Sequence, residues 1–522
     1  RSPQARERGA QKKTRTVHKL RSPGGSSVTR LLPSPGALVA LAALLTALGP
    51  GIPPMFRADG DVGRHVRVGR QILEQHEIPL TDSLSHTRPG GDWVPKEWAS
   101  QVAMAAADDM FGLAGVAVLA GLLFSASVWL VFAIAVGGGA GVVSALLAAA
   151  LSLLLQLVHL LPRPHLATTT LLAAVTLVLV RYRETRRGPM LLLLPLLFAV
   201  WANLHAGYPV GLLVVGVFVA DAWIGVIRRD TDSRTAVLLS VTSLVCALAT
   251  LLNPVGIDLW RHVTGHVGSR FFMSITQEFQ SPDFHQAYGR IFLIVILGAG
   301  ALVGWLRPAI RRHEGALFLL GLAAALSSAR HITVFSVISV PWLAVWVTRA
   351  IADSAVAGSP WALRLRESGR KTAASAALTG PVLPIVIGLA GVALALGPFK
   401  ARAEFDVTQF PVDALRAIQP ESMPSELFNQ MRWGGYILYE YPDVRIFMDG
   451  HADYFGEALT REYLGIRHLA PGWAEGLDRY EVNWTLTMPQ APISQALELS
   501  PQWQRAYADE VAVIYVREDS SR

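Results

Sequence analysis

Long apolar runs recur along the first three quarters of the 522-residue sequence, and they constrain the fold more than any other feature. A helix needs roughly 20 mostly apolar residues to cross about 30 Å of hydrocarbon. Hydrophobic residues make up 52% of the chain and charged residues only 16%, which argues against an ordinary water-soluble enzyme. The sequence therefore predicts a mainly α-helical, polytopic membrane protein.

The hydropathy of windows of roughly 19 residues predicts about eleven membrane spans. They cover residues 34–54, 111–135, 139–161, 165–181, 189–203, 208–227, 235–252, 291–306, 315–329, 331–348 and 380–398. The glycine-rich stretch 137–141 between two of them is predicted to be a tight membrane turn rather than a phosphate-binding loop, since no strand precedes it.

The basic residues predict the side of the membrane on which each loop lies. Residues 1–33 are rich in Arg, Lys, Ser and Gly and are expected to form a disordered cytosolic tail. With that tail inside, the basic segments 181–187, 228–234, 307–313 and 349–371 all fall on the cytosolic side, as the positive-inside rule requires. The loops 55–110 and 253–290 and the segment 400–522 are then extracytoplasmic.

Charge and cysteine content exclude several other classes. The net charge of +7 does not indicate nucleic-acid binding, because the basic residues form short clusters between apolar runs and no continuous stripe. The single cysteine, Cys246, lies in an apolar run, so neither a disulfide framework nor a CxxC metal site is possible. A cleaved signal peptide is not expected, since the first apolar run lacks a small-residue cleavage motif and many spans follow it.

The segments outside the membrane carry their own patterns. Apolar and charged residues alternate at helical spacing between Val62 and Glu74, which predicts an amphipathic helix at the membrane interface, and Lys96–Trp98 leads into a second helix. Residues 400–522 are predicted to form a small α/β domain. Its β-rich runs are 434–439, 444–448 and 511–516, and its helical segments are 413–418 and 458–469. Within it, Asp449-Gly-His-Ala-Asp453 is either a glycine turn or part of a site.

Charged residues gather directly after the first span, in Arg57-Ala-Asp-Gly-Asp-Val-Gly-Arg-His65. Unpaired charges are unfavourable beside hydrocarbon, so these side chains should pair with each other or with a ligand; a solvated interfacial loop is the alternative. More polar residues are predicted at the outer ends of spans, where capping or snorkelling would explain each one alone. They are His159, Arg163, His165, Asn203, His205, Asn253, Arg330 and His331. Their placement on one side favours a shared site.

The order of these features resembles the GT-C superfamily of polyprenyl-phosphate-sugar-dependent glycosyltransferases. More closely, the chain resembles a group of bacterial membrane proteins of this architecture. The segments that carry this resemblance are Asp59–His65, Trp93 with Glu97-Trp98, Asn203–Gly207, Leu252–Gly256, Arg330-His331, Trp433–Tyr436 and Met448–Asp453. The likeness covers nearly the whole chain after the tail and is more specific for the fold than for the substrate. It implies a transmembrane GT-C-like domain at 34–399, an extracytoplasmic domain at 400–522 and a location in the bacterial inner (plasma) membrane.

The resemblance also implies that an acidic residue of the first outer loop is catalytic, which here is Asp59 or Asp61. The adjacent Asp-Glu pair of the protein O-mannosyltransferases is missing, so the choice between the two stays open. Sugar transfer needs a carboxylate that takes the acceptor proton and cations that hold the departing phosphate. The expected phosphate-binding residues are Arg64, His65, Arg330 and His331, and further candidates are Glu97, Asn203, His205 and Asn253.

The expected donor is a polyprenyl-phosphate-linked sugar, and the expected acceptor is a lipid, glycan or protein outside the cytosol. Asp61 and His65 share a helix face and would suit a divalent metal, but two ligands do not define a metal site. Two other functions remain open. A transporter or lipid flippase would need charged or broken helices near the middle of the membrane, and a non-catalytic cell-envelope scaffold would need only its outer domain.

Overall fold

The computed structural model describes residues 33–57, 59–353, 359–360, 363–364, 367, 382–419 and 426–518. The predicted tail at 1–33, apart from Pro33, lies outside these residues, and so does much of the basic segment 349–371. The described chain is mostly helical and ends in a small sheet, as the sequence predicted.

The N-terminal part contains the first apolar helix, the first outer loop and the longest span. Its helices are α1 (Pro35–Leu48), α2 (Ile52–Met55), α3 (Asp61–Gln75), α4 (Trp98–Phe111) and α5 (Leu113–Gly137). The hydroxyl of Ser34 caps α1 by accepting a hydrogen bond from the Ala37 amide at 3.2 Å.

Five helices follow. They are α6 (Val142–Leu157), α7 (His165–Thr185), α8 (Leu193–Leu204), α9 (Tyr208–Ile227) and α10 (Ser233–Ala249), and a 3₁₀ turn at Gly188–Leu192 precedes α8. The predicted tight turn at 137–141 is confirmed, because α5 ends at Gly137 and α6 begins at Val142. Gly139 has a φ of 100°, which a residue with a side chain rarely adopts.

The next part begins with the second long outer loop and returns to the bundle. Its helices are α11 (Asp258–Gly268), α12 (Arg270–Ile275), α13 (Ala287–Ala301), α14 (Arg312–Ser327), α15 (Ile332–Ile338), α16 (Val340–Asp353) and α17 (Val382–Leu396). A π-helical turn, Leu302–Leu306, continues α13, and a 3₁₀ turn, Ala329–His331, precedes α15. The segments Ala329–Ile338 and Val340–Ala352 meet at 44°. Pro341 lacks the amide hydrogen that would continue α15, which accounts for the break.

Each of the eleven predicted spans coincides with helical residues, but fewer helices are long enough to cross the whole membrane. Four helices are long and apolar enough to cross a membrane: Leu113–Gly137, His165–Thr185, Tyr208–Ile227 and Ala287–Leu306. The bent pair makes a fifth, and five shorter apolar helices accompany them. The described chain is thus a multi-pass membrane protein in which several predicted spans are shorter than a full crossing.

The C-terminal part combines short helices with a four-stranded sheet. Its elements are α18 (Val412–Ile418), β1 (Leu427–Asn429), α19 (Gly434–Glu440), α20 (Ala452–Arg467), α21 (Trp473–Arg479), β2 (Trp484–Thr487), α22 (Pro492–Glu498), β3 (Trp503–Ala508) and β4 (Val513–Arg517). The strand order is β1-β2-β4-β3. β1 pairs with β2 in parallel, whereas β4 is antiparallel to both of its neighbours.

Two strand predictions in this part are wrong. Residues 434–439 form the helix α19, and 444–448 form no strand but make a single bridge through Ile446 to Ser85. A short apolar run does not distinguish a strand from a buried helix by its spacing. The predictions at 413–418, 458–469 and 511–516 are confirmed by α18, α20 and β4.

The amphipathic helix of the first loop forms, as α3, but it is not an interfacial helix with a solvated face. It packs between α4 and α19, and Arg64 and His65 on its charged side are 4% and 2% exposed. Glycines permit this approach: a Cβ on Gly63 would overlap the Gly435 carbonyl, and one on Gly435 would overlap the Gly60 carbonyl. The backbone at the start of α3 therefore packs directly against the backbone of the C-terminal part.

Candidate functional site

A cavity of about 480 Å³ lies between the start of α3, the loop before α7, the second outer loop and the C-terminal part. Four carboxylates line it, together with four permanently cationic side chains: Asp61, Glu97, Glu278 and Asp453, with Arg64, Lys96, Arg163 and Arg330. Eight of the 14 histidines in the chain also line it: His65, His159, His165, His205, His262, His266, His331 and His451. Charged and histidine residues that are distant in sequence thus meet in the wall of one cavity.

Most of the predicted site residues face this cavity. Those that line it are Asp61, Arg64, His65, Glu97, His205, Arg330 and His331. Asn203 and Asn253 lie outside its lining. The Asn203 side chain accepts a hydrogen bond from the Trp98 indole at 2.8 Å and donates one to the Leu252 carbonyl at 2.7 Å. The Asn253 side chain forms hydrogen bonds with the backbone of its own turn. Both side-chain amides therefore stabilise the local fold.

The two aspartates of the first loop differ in their surroundings. Asp59 is buried behind the cavity wall, where Arg163 binds both of its carboxylate oxygens and the Asp61 amide donates to Oδ1 at 3.0 Å. Asp61 lines the cavity, and its Oδ2 lies 3.2 Å from Nη2 of Arg163. Burial alone would lower the pKa of Arg163, but the charges of Asp59 and Asp61 outweigh it and raise that pKa well above its usual value. Arg163 therefore stays charged and orients both carboxylates.

Arg64 is paired with a buried carboxylate, but two of its buried nitrogens make no hydrogen bond. Its Nε lies 3.0 Å from Oδ2 of Asp449, yet neither Nε nor Nη1 has a hydrogen-bond partner in the described chain. Burial raises the pKa of Asp449 to about 6, against the opposing charge of Arg64. Unsatisfied buried donors are unfavourable and mark places where a ligand can bind. A guanidinium with free N–H groups in a polar cavity is suited to an anion.

Glu97 lies between two histidines. His65 Nδ1 is 3.7 Å from one of its oxygens, and His205 Nε2 is 3.6 Å from the other. Burial raises the pKa of Glu97, and burial lowers the pKa of His65 well below its usual value and that of His205 to about 3. Since the Gly207 amide donates to Nδ1 of His205 at 3.1 Å, the proton of this neutral ring is on Nε2, toward Glu97.

Arg330 and His331 form the wall opposite the first loop, together with Glu278. Arg330 Nη1 lies 3.8 Å from Oε1 of Glu278, and its guanidinium stacks 4.9 Å from the centre of the Phe279 ring. His159 Nε2 is 2.9 Å from the second oxygen of Glu278. Burial would raise the pKa of Glu278, but His159 and Arg330 outweigh it and keep the pKa well below its usual value. Glu278 therefore remains ionised and positions Arg330 and His159 in this wall.

The C-terminal part closes the remaining side with Gly450, His451 and Asp453. Asp453 pairs with Lys96 and lies 2.9 Å from Nε2 of His262, which links the first loop, the second loop and the C-terminal part. Neither ring nitrogen of His451 has a hydrogen-bond partner in the described chain, and the residue is 7% exposed. Burial lowers the pKa of His451 well below its usual value. Its Nε2 lies 3.5 Å from Oδ1 of Asp453, so the cavity is faced by a neutral ring whose nitrogens make no hydrogen bond.

Sequence reasoning missed several of these residues. Lys96, His262, His266 and Glu278 were not candidates, and the role of Asp449–Asp453 was left open. Arg163 was predicted only as one of the polar residues at the outer ends of spans. Its neighbours in the sequence do not indicate that it binds Asp59, which lies 104 residues earlier. The pairing depends on tertiary contacts between segments. The collection of polar residues at one end of the bundle was the one sequence signal that pointed toward them.

The residues present do not fit a metal site. The described chain contains no group of three or more His, Cys, Asp or Glu side chains placed to hold a metal ion. Arg163 takes both oxygens of Asp59 and approaches Asp61, so these carboxylates face a guanidinium instead.

No protein-family model matches the chain, and no curated protein sequence matches it. Several solved structures, in contrast, match the chain. The oligosaccharyltransferase of Archaeoglobus fulgidus in the apo form superposes with a TM-score of 0.56 at 12% identity, over 86% of this chain and 69% of that one. AglB from Archaeoglobus fulgidus, in complex with an inhibitory peptide and a dolichol-phosphate, gives 0.50 at 10% identity, over 93% and 74%.

ArnT from Cupriavidus metallidurans bound to undecaprenyl phosphate gives a TM-score of 0.46 at 16% identity, over 93% of this chain and 98% of that one, a score that supports no inference. The two oligosaccharyltransferase structures establish the fold. The chain therefore shares the fold of these two structures, which confirms the predicted fold class of a polytopic helical protein with a small C-terminal sheet.

Proposed function

We propose that the protein is a membrane glycosyltransferase that transfers a sugar from a polyprenyl-phosphate donor to an acceptor outside the cytosol. The observation that carries the proposal is the meeting of Asp61, Arg64 and Arg330 in the wall of one cavity at one end of a membrane bundle. AglB of the same fold was solved with a dolichol-phosphate, which supports a lipid-linked phosphate as the ligand here.

The proposed reaction assigns a role to each side of the cavity. Asp61 accepts the proton of the acceptor hydroxyl as that oxygen bonds to the anomeric carbon of the sugar. The bond from the anomeric carbon to the phosphate oxygen breaks, and the electron pair leaves with the polyprenyl phosphate. Arg64 and Arg330 stabilise the negative charge on that phosphate. Asp59 touches no cavity space and acts as a positioning residue that holds Arg163 against Asp61.

The neutral histidines suit a hydroxylated substrate. A neutral imidazole both donates and accepts a hydrogen bond, as a sugar hydroxyl also does. Burial keeps His65, His205 and His451 neutral, and neither ring nitrogen of His451 makes a hydrogen bond in the described chain. These rings would contact the sugar without adding charge beside the phosphate.

The topology belongs to the same proposal. The cavity and the segment 400–518 would face the extracytoplasmic side of a bacterial inner membrane, where a lipid-linked donor is available and nucleotide-sugars are scarce. The residues 34–399 would form the membrane domain and 400–522 the outer domain. Access of a membrane-impermeant thiol reagent to a cysteine introduced at Leu499, which is 87% exposed, checks the side. Labelling only in broken cells would place that segment in the cytosol and contradict the proposed orientation.

The test uses purified full-length protein, a panel of polyprenyl-phosphate-linked monosaccharides and an extract of cell-envelope lipids and glycans, with donor consumption followed by mass spectrometry. Asp61→Asn should lower the rate by about 10²–10⁴-fold, the usual contribution of a general base. Glu74→Gln on the exposed side of α3 is the matched control and should keep full activity. Full activity in both Asp61→Asn and Asp59→Asn would overturn the catalytic assignment.

A transporter or flippase is the first alternative. Asp221, an acidic residue inside the long span α9, is paired with Arg183 and Arg312 toward the end of the bundle opposite the candidate site and does not lie at its middle. A flippase would move a fluorescent polyprenyl-phosphate lipid across proteoliposomes without consuming a sugar donor, so the two assays separate the functions. A scaffold would show neither activity, and Asp61→Asn would leave its cellular role intact.

A further inference from the structure

A second cavity lies at the opposite end of the bundle from the candidate active site. It measures about 350 Å³ and is bounded by the ends of α7 and α9, the start of α10 and the chain before α14. Arg183 in its wall lies 18 residues along α7 from His165 in the first cavity, which corresponds to about 27 Å of helix. The two cavities are therefore separated by most of a membrane thickness.

Arginines dominate the wall of this second cavity. Four of them face it, with two aspartates: Arg183, Arg186, Arg311 and Arg312, with Asp221 and Asp230. Three of the four have acidic partners: Arg183 pairs with Asp221, Arg312 with both aspartates, and Arg311 lies 2.9 Å from Glu184.

Arg186 has no acidic partner in the described chain. Its Nη1 makes one long hydrogen bond, 3.4 Å, to the Thr235 hydroxyl. It also ends α7 in the left-handed conformation, with a φ of 54°, at a position where glycine is the common residue. A charged residue thus occupies a backbone position that disfavours it, and its charge is left free beside the cavity.

Exposed apolar side chains adjoin the same turns along the chain. Leu192 follows the end of α7, Ile227 ends α9, and Trp305 precedes the turn before α14; they are 76%, 79% and 85% exposed. In a membrane protein such side chains contact acyl chains. A cationic cavity whose bounding turns lie within a few residues of exposed apolar side chains along the chain combines the two features of an anionic lipid site.

We infer that this cavity binds the phosphate headgroup of an anionic phospholipid, with Arg186 as the guanidinium that contacts the phosphate and the neighbouring apolar side chains contacting its acyl chains. This site is separate from the proposed catalytic site and does not depend on the proposed function. An exposed guanidinium at a membrane surface attracts anionic lipid and binds phosphate through two parallel N–H groups.

The experiment uses native mass spectrometry of purified full-length protein titrated with dioctanoyl phosphatidylglycerol. Arg186→Gly is the decisive variant, because glycine fits the left-handed conformation and the change removes the charge without leaving an aspartate unpaired. The affinity of one bound lipid should fall about fivefold, the effect of one arginine at a membrane surface. Arg307→Gly, also left-handed at a φ of 44° and outside the cavity wall, is the matched control and should leave binding unchanged.

Two further probes separate the possible ligands. Dioctanoyl phosphatidylcholine, whose choline offsets the phosphate charge, and inorganic phosphate should both bind more weakly than phosphatidylglycerol. The inference is overturned if Arg186→Gly binds phosphatidylglycerol as the wild type does, or if Arg307→Gly shows the same loss. Equal affinity for inorganic phosphate would also overturn it, since the site would then recognise a free anion instead of a lipid.

Discussion

The two ends of the helical bundle use charged residues in different ways. At one end, Nε and Nη1 of Arg64 and both ring nitrogens of His451 make no hydrogen bond in the described chain, and the two side chains face a cavity of about 480 Å³. At the other end, the buried Asp221 is paired with Arg183 and Arg312. The surplus charge there belongs to Arg186, which is exposed.

The difference separates charges that stabilise the fold from charges left available to a ligand. Breaking a buried pair leaves an uncompensated charge and destabilises the protein. A buried donor that is already unpartnered contributes little to folding, so its removal should affect ligand binding first. Salt should also screen the exposed Arg186 more than the buried Arg64.

The largest expected effect is on stability, at the paired end. Asp221→Asn should lower the unfolding free energy by about 3 kcal/mol, near the lower end for broken buried pairs because the arginines keep access to solvent. Thermal unfolding in detergent measures the loss, and polyprenyl-phosphate affinity of the folded protein should not change. Asp230→Asn is the control: this exposed partner of Arg312 should contribute less than about 1 kcal/mol. Equal losses in both variants would remove the distinction between buried and exposed pairs.

Arg64→Gln should act on binding more than on stability. Polyprenyl-phosphate affinity should fall about 10–100-fold, since a hydrogen bond to a charged group contributes roughly 1.5–3 kcal/mol. The Tm should fall less than in Asp221→Asn, because Asp449, whose pKa is already raised to about 6, can take up a proton once its partner Arg64 is removed. Arg67→Gln, one turn further along α3, is the matched control, because Arg67 lies outside the cavity wall and reaches only the Pro442 carbonyl at 3.5 Å. A large Tm loss with unchanged affinity would assign Arg64 to the fold.

A third change tests how the cavity is held. Gly63→Ala should destabilise the protein by about 1–3 kcal/mol, because its Cβ would overlap the Gly435 carbonyl and push α3 away from the C-terminal part. Asp61 at the start of α3 would move with it, so donor affinity should fall as well. Gly216→Ala in α9 meets nothing within 4 Å and should be neutral or slightly stabilising. If Gly63→Ala changed neither the stability nor the donor affinity, that result would contradict the close backbone contact.

The most gradual expected effect is the dependence of stability on pH. Because the pKa of Asp449 is raised to about 6, the folded protein binds its proton more tightly than the unfolded chain does. That contribution is present below about pH 4 and is lost as the pH rises through 6, by no more than about 1.4 kcal/mol per pH unit. The buried histidines contribute the opposite trend, so the difference between wild type and Asp449→Asn is the quantity to follow. A difference that does not change between pH 4 and 6 would contradict the raised pKa.

The sequence predicted the fold better than the site. Hydropathy located the helices because each apolar run is a local signal, and the outer-end polar residues such as Arg330 indicated where a site would form. The run at 434–439 was mistaken for a strand because its packing against Gly60 and Gly63 is tertiary. Glu278 was missed, and the pairing of Arg163 with Asp59 was not predicted, for the same reason: the partners come from other segments.

The most direct test is a cryo-EM structure of the full-length protein in lipid nanodiscs with saturating polyprenyl phosphate. Phosphate density should lie in the cavity, within hydrogen-bond distance of the Arg64 guanidinium and facing Arg330. Polyprenyl phosphate bound elsewhere, with this cavity free of it, would contradict the account.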